Sequence, residues 1–258
     1  MKATLPMAKI LLYDIETSPI ISYNWGIWDQ NAIEVIEDWQ ILCFAYKWLG
    51  DDGVTVVGQD DFRSYTPGVN NDFMVVAKLW QLFDEADVVI AHNGDSFDQK
   101  KAQARMMAHD LTPPSPYKQL DTKKIAKRYA AFTSNKLSDL AKKFGIALKD
   151  DPGGFATWKG CMAGDAPSWA KMKEYNRQDV VVLEELYLKL RPWINSHPAM
   201  NILDGRPEAC PKCGEGPLEK RGTLKINSAS SVQRYRCKSC GGWSQSRKNT
   251  KSDVQFVN

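Results

Sequence analysis

Residues 9–17, KILLYDIET, constrain the rest of the chain more than any other stretch. Ile10, Leu11, Leu12 and Tyr13 form a continuous apolar run, which predicts a strand buried on both faces of a sheet. The run ends in two acids one residue apart. Side chains alternate along a strand, so Asp14 and Glu16 project to the same side at its end. Two carboxylates held that close repel each other and lose hydration, and a bound divalent cation would compensate both effects. A solvated strand end entering a turn before Pro19 also accommodates a lone D-x-E. Further carboxylates brought to the same strand end would separate the two readings.

The later sequence supplies candidates. Residues 41–48 and 54–57 read as a hairpin beside the first strand, residues 73–83 as a helix capped by Asn71 or Asp72, and residues 87–91 as a short buried strand. Residues 92–98, HNGDSFD, lead into a helix ending near His109. Helices are expected over 120–129, over 136–144 after a cap at Ser134 or Asn135 with Gly145 as stop, and over 168–190. Residues 144–168 carry no clear pattern, and 150–154 read as a loop. The succession describes an α/β domain with a mixed sheet whose reactive crevice lies at the carboxyl ends of the central strands. Asp14, Glu16 and the HNGDSFD segment all fall there.

The helix over 168–190 contains an anomaly. Its apolar stripe runs Met172, Tyr175, Asp179, Val182, Leu183, Leu186, Leu190, placing a carboxylate on the core side with a tyrosine one turn earlier. Alternatively Asp179 lies at the stripe's edge and pairs with Arg177 or Lys173.

Together, Asp14-Ile-Glu16-Thr17, His92-Asn93 through Phe97-Asp98, and Tyr175-Asn176-Arg177-Gln178-Asp179 resemble, in order and spacing, the three motifs of the DEDD 3′-to-5′ exonucleases. The resemblance covers residues 8–195 and is nearest to the exonuclease domains of family B DNA polymerases. Tyr175, four positions before Asp179, resembles the tyrosine subtype. It implies a ribonuclease-H-like mixed sheet flanked by helices and a metal-dependent phosphodiester hydrolase using two Mg²⁺ or Mn²⁺ ions. In that implied site Asp14 bridges both ions, Glu16 and Asp179 hold the ion carrying the nucleophilic water, Asp98 supports the other, and Tyr175 orients the water. Thr17 and Asn93 match positions that contact the terminal nucleotide, and Phe97 or Ile20 packs against its base or sugar. Spacing alone leaves Asp95 and Asp98 both available. A capping box of Ser96 and Gln99 would put Asp98 in the first helical turn, and the family's Phe-Asp pair selects Asp98. For Phe97 a place in the core is equally open, and His92 reads as a hydrogen-bonded structural residue. The implied substrate is a single-stranded DNA 3′ end. A 3′-to-5′ exoribonuclease and a non-catalytic, replication-associated binding module are the alternatives. No polymerase body follows, so a proofreading role would serve a separate polymerase or replication protein.

Six cysteines divide unevenly. Cys43 and Cys161 stand alone and read as buried, inert thiols. Cys210, Cys213, Cys237 and Cys240 form two C-x-x-C pairs with 23 residues between them, a spacing that suits one structural Zn²⁺ and resembles a zinc ribbon. Residues 205–258 carry 11 Lys or Arg against 4 Asp or Glu, although the whole chain is only +3. Arg234, Tyr235, Arg236, Lys238, Trp243, Arg247 and Lys248 interleave cations with aromatics as single-strand binding surfaces do; a protein-docking ribbon with a solvated basic surface fits as well. Lys123, Lys124, Lys127 and Arg128 make a second basic face, which either tracks a strand or is solvated.

The expected organisation is therefore a nuclease domain over 1–200, a zinc ribbon over 205–248 and a flexible tail over 249–258. At 258 residues and 43% hydrophobic, the chain can bury such a core. Without a spanning run or a signal-peptide pattern, it is expected in the cytoplasm, with nucleic acid and not membrane as partner.

Overall fold

The computed structural model describes residues 8–28, 31–69, 71–147, 153–225 and 231–249. Beyond Asn249 the expected tail lies outside these residues, as do positions 150–152 of the expected loop. The chain divides into two compact units, one of Lys9–Lys127 with Phe132–Leu186 and one that gathers Arg128–Ala131 and the chain from Tyr187 onward.

The first unit is built on β1 (Ile10–Thr17), β2 (Ile21–Tyr23), β3 (Glu34–Glu37), β4 (Ile41–Trp48), β5 (Thr55–Gly58), α1 (Phe73–Glu85), β6 (Val88–Ala91), α2 (Asp98–Ala108), β7 (Lys118–Asp121), α3 (Thr122–Tyr129), α4 (Leu137–Phe144), α5 (Phe155–Ala163) and α6 (Ala166–Leu190). Five strands form one sheet in the order β5-β4-β1-β6-β7. β4 runs antiparallel to β1 and β5 to β4, whereas β6 is parallel to β1 and β7 to β6. This is the mixed sheet the sequence predicts, with β1 at its centre.

Alternation along β1 sets the two layers. Leu11, Tyr13 and Ile15 pack into a cluster with Val75, Val76, Leu79 and Phe83 of α1 and Ala102 and Met106 of α2. Leu12, Asp14 and Glu16 must then face the other way. On that side Leu42 and Cys43 of β4 meet Cys161, Trp169 and Met172. Burying a leucine or phenylalanine side chain contributes about 2 kcal/mol, so this apolar packing fixes strand register, and with register the side to which the acids point.

Asp72 is a buried knot in the framework. Its carboxylate accepts from Arg105 Nε at 2.8 Å and Nη2 at 2.6 Å, from the Ile41 N–H at 2.9 Å, and lies 2.6 Å from His109 Nε2. One side chain thereby joins the start of α1, the end of α2 and the start of β4. Burial alone would raise its pKa, but the bonds from Arg105 and His109 hold it below the ordinary carboxylate value.

Several expectations need correction. Leu120 and Asp121 belong to β7 and not to a helix, because pairing with β6 overrides the local helical pattern. The featureless stretch before residue 168 contains α5, and α6 begins at Ala166. Ser96 and Gln99 form no capping box: Phe97 occupies the cap position of α2 and the Gln99 amide donates to Tyr117 Oη at 3.2 Å. At α1 the carboxylate of Asp72 is engaged elsewhere and Asn71 Oδ1 accepts from Phe73 N–H, whereas at α4 the cap position is Lys136 and Gly145 ends the helix at φ +67° as expected. The β2–β3 hairpin was not foreseen. It exposes Trp25 by 89%, Ile27 by 86% and Trp28 by 78%.

The second unit contains α7 (Met200–Leu203) and an antiparallel sheet of β8 (Leu218–Lys225), β9 (Ser231–Cys237) and β10 (Trp243–Asn249), with β9 in the middle. His197 stacks on Tyr187 and shares a 2.9 Å hydrogen bond with its hydroxyl.

Candidate active site and metal centre

Three elements bring carboxylates to one place. Ligand oxygens of Asp14 and Glu16 on β1 and of Asp179 on α6 all lie within 4.8 Å of one another. Asp98, at the first position of α2 and 2% exposed, accepts the Ile15 N–H at 3.2 Å and so sits against the same strand. Asp95 instead bonds Lys124 Nζ at 2.6 Å. The neighbours once open to Asp179 are engaged elsewhere: Lys173 holds Asp60 and Asp61, and Arg177 contacts Glu174 and the Val54 carbonyl. Tyr175 hydrogen-bonds Asp179.

Electrostatics follow from this crowding. Burial first, then mutual repulsion, pushes Glu16 up to about 8 and Asp14 well above the ordinary range. Burial likewise moves Asp98 to about 7 and Asp179 to about 6. Among the described residues no Lys, Arg or His forms an ion pair with any of the four. Uncompensated carboxylates in a partly dry site fit hard divalent cations that take oxygen ligands, as Mg²⁺ and Mn²⁺ do. Burial also raises the Tyr175 phenol, with Asp179, Glu16 and Asp14 adding to the effect, so it stays neutral and can donate.

The sequence missed the residues that hold this cluster in place. Asn176, fully buried between Tyr175 and Arg177, donates from Nδ2 to Asp14 Oδ2 at 2.7 Å. The Cys43 thiol lies 3.8 Å from Asn176 Oδ1. Burial raises both isolated thiols, Cys161 to about 12, which agrees with inert cysteines. Trp158 of α5 hydrogen-bonds Glu16 and packs edge-on against Tyr175 with ring centres 6.4 Å apart. Asp121 accepts the Asn93 N–H at 3.0 Å and the Asp95 N–H at 3.3 Å, and it also caps α3 through Lys123 and Lys124. A helix end carrying Asp just before Thr-Lys-Lys was the available signal.

The candidate substrate residues border the acids in sequence. Thr17 follows Glu16 across a register shift in the β1–β4 pairing. Asn93 adopts φ +71°, and its Oδ1 accepts from Lys123 Nζ at 3.2 Å. Phe97 is 38% exposed, not in the core, and Lys101 Nζ lies 5.5 Å from its ring centre. His92 is structural as expected, held between Thr122 Oγ1 at 2.9 Å and the Asn135 carbonyl at 3.0 Å. Of the basic face on α3, Lys123 and Lys124 are thus engaged by the loop after β6.

The sequence profile of the RNase H superfamily matches residues 52–191, more than half of the chain. The chain belongs to the RNase H superfamily. That match contains Asp98, Tyr175 and Asp179 and begins after Asp14 and Glu16. Among curated proteins, this RNase H superfamily member is 26% identical over 196 residues to the DNA polymerase III PolC-type of Ureaplasma parvum serovar 3, an alignment covering 72% of this chain and 13% of that protein. The chain therefore spans about an eighth of that relative's length. Among solved structures, the family B DNA polymerase from the hyperthermophilic archaeon Pyrobaculum calidifontis aligns with 87% of this chain and 32% of its own, at 14% identity and a TM-score of 0.49. No helix among the described residues is long and apolar enough to cross a membrane.

In the second unit the sulfur atoms of Cys210, Cys213, Cys237 and Cys240 lie within 4.8 Å of one another. Gly214 and Gly241, each following the second cysteine of a pair, take φ +72° and +75° and let the two loops turn tightly. Four convergent thiols fit a closed tetrahedral Zn²⁺ site.

Proposed function

We propose that the chain is a metal-dependent 3′-to-5′ exonuclease acting on single-stranded DNA ends. The observation that carries this reading is the convergence of Asp14, Glu16 and Asp179 from β1 and α6, with Asp98 of α2 held against β1, and with no ion-paired Lys, Arg or His among the described residues. Asp14, Glu16 and Asp179 would hold the ions together with Asp98, which lies against the same strand. When bound, two Mg²⁺ or Mn²⁺ ions stabilise charge on the attacking and leaving oxygens of the phosphodiester. Tyr175, neutral and anchored to Asp179, orients the attacking water in preference to removing its proton. Thr17, Asn93 and Phe97 hold the terminal nucleotide. The similarity to a DNA polymerase III PolC-type favours DNA over RNA as the substrate. The nuclease domain extends to about residue 200, and the ribbon over 205–248 carries one structural zinc.

Single-stranded DNA and RNA, each labelled at the 5′ end, test the proposal in Mg²⁺ or Mn²⁺. Progressive shortening of DNA from the 3′ end, lost without divalent ions and in Asp14→Ala, is the expected result. Full activity in Asp14→Ala overturns the assignment. Faster loss of RNA makes the chain an exoribonuclease, and ion-independent binding without cleavage makes it a binding module.

A further inference from the structure

The ribbon sheet has a face whose chemistry the nuclease site does not use. Cross-strand pairing sets Trp243 of β10 and Glu219 of β8 opposite Arg236 of β9, so their side chains leave the same face. Arg234, two residues back along β9, shares that face, and its guanidinium carbon lies 5.8 Å from the centre of the Trp243 ring. Trp243 is 49% exposed and Arg236 is exposed. From Leu218 to Asn249 the sequence has eight Lys or Arg and one acid, Glu219, which Arg221 neutralises at 2.9 Å. A cleft of about 630 Å³ adjoins the tryptophan, lined by Ile194, Asn195, His197, Lys212 and Gln245. Its walls are fixed: Lys212 is buried with its ammonium on the Pro192 carbonyl, and His197 is tied to Tyr187 and the Pro198 carbonyl.

We infer that this face is a single-strand nucleic-acid site, in which an unstacked base lies on Trp243 at the mouth of the cleft while flanking phosphates run over Arg234 and Arg236. A flat aromatic surface is sequence-tolerant, because every base offers a π face, and guanidinium groups beside it hold phosphate oxygens through their forked donors. An acidic protein partner would use the cations but would leave the exposed indole and the cleft without a planar occupant. The site binds without cutting: the four thiols form a closed ligand set, and the described residues that line the cleft include no Asp or Glu. It gives the strand a hold separate from the acidic cluster and does not depend on cleavage there.

The test is fluorescence anisotropy of labelled dT20 with the full zinc-containing chain and no added Mg²⁺ or Mn²⁺. Trp243→Ala is expected to raise Kd about 10- to 100-fold and Trp243→Phe to restore most of the affinity. Arg236→Ala should lower the slope of log Kd against log salt by about 0.7. Zinc content and circular dichroism of each variant verify the fold, and exposed Arg236 serves if Trp243→Ala fails to fold. Wild-type Kd and slope in both variants, or no binding by the wild type, overturn the inference. Trp243-dependent binding by a chain that cuts nothing removes the exonuclease proposal and leaves this one. Cleavage with Trp243-independent binding does the reverse.

Discussion

The side-chain amide of Asn176 reaches across from α6 to β1 and donates to both the carboxylate of Asp14, at 2.7 Å, and its main-chain carbonyl, at 3.3 Å. One buried group thus fixes both the rotamer and the backbone of an acid proposed to hold the ions. Partners that orient ligands matter nearly as much as the ligands themselves. Asn176→Ala should weaken Mn²⁺ activation about 10- to 100-fold and cost about 1–3 kcal/mol in stability. Titrating cleavage against Mn²⁺ concentration reads the first effect and urea unfolding the second.

The acids also predict how the ion-free chain responds to pH. Glu16 holds its proton up to about 8 when folded, against an ordinary value of 4.5. Folding therefore takes up protons between those values, and stability present in acid is lost as pH rises through the window. Without divalent ions the Tm should fall from pH 6 to pH 8.5, and Glu16→Gln should flatten that fall. Saturating Mn²⁺ should raise the Tm most at the alkaline end, where the ligands are already deprotonated. An equal rise at pH 5.5 and 8.5 would contradict the assignment.

Tyr175 differs from the four acids in that its hydroxyl is proposed to position and not to ligate. Tyr175→Phe should lower kcat about 10- to 100-fold with little change in Tm or in the Mn²⁺ concentration for half activation. A large shift in Mn²⁺ dependence would show that the hydroxyl acts through the ions.

Asp72 supports the fold away from the chemistry. Removing it leaves the partly buried Arg105 unpaired, which costs less than the roughly 3–5 kcal/mol typical of breaking a fully buried pair. Asp72→Ala should unfold at correspondingly lower urea while the folded fraction keeps wild-type Mn²⁺ dependence. Because the carboxylate is held below its usual pKa of 3.8, its contribution is complete above that value and disappears as pH falls through the lowered one.

Elemental analysis offers a fifth check. Purified chain should carry close to one zinc, and Cys237→Ser should lose it and make the ribbon sensitive to protease. An ordered ribbon in a zinc-free preparation would refute the four-thiol site.

What the sequence revealed follows from which forces are local. β1 was legible because an apolar run of that length must be buried, and Asp14 and Glu16 were legible because their shared side follows from alternation. Asp179 was visible as an acid in an apolar stripe. Asn176 lies inside a legible motif but carries no legible role, since an amide shows its value only when a carboxylate from a distant strand arrives beside it. Trp158 and α5 are not legible because an irregular apolar pattern does not mark a helix, and Asp121 is masked because the helical pattern of α3 starts two residues before the helix itself begins. In each case the deciding partner is remote in sequence.

Between Ile10 and Tyr46 the chain has neither lysine nor arginine, so β1 and the segments that follow it give the acidic cluster no built-in counter-charge. On the proposed reading this imposes an order of assembly. A DNA end reaching the bare pocket finds acids that burial and mutual repulsion keep largely protonated and no cation to hold its phosphate, so ions must load first. The enzyme would then respond to free divalent cation before it responds to substrate, idle but intact whenever the ion is scarce.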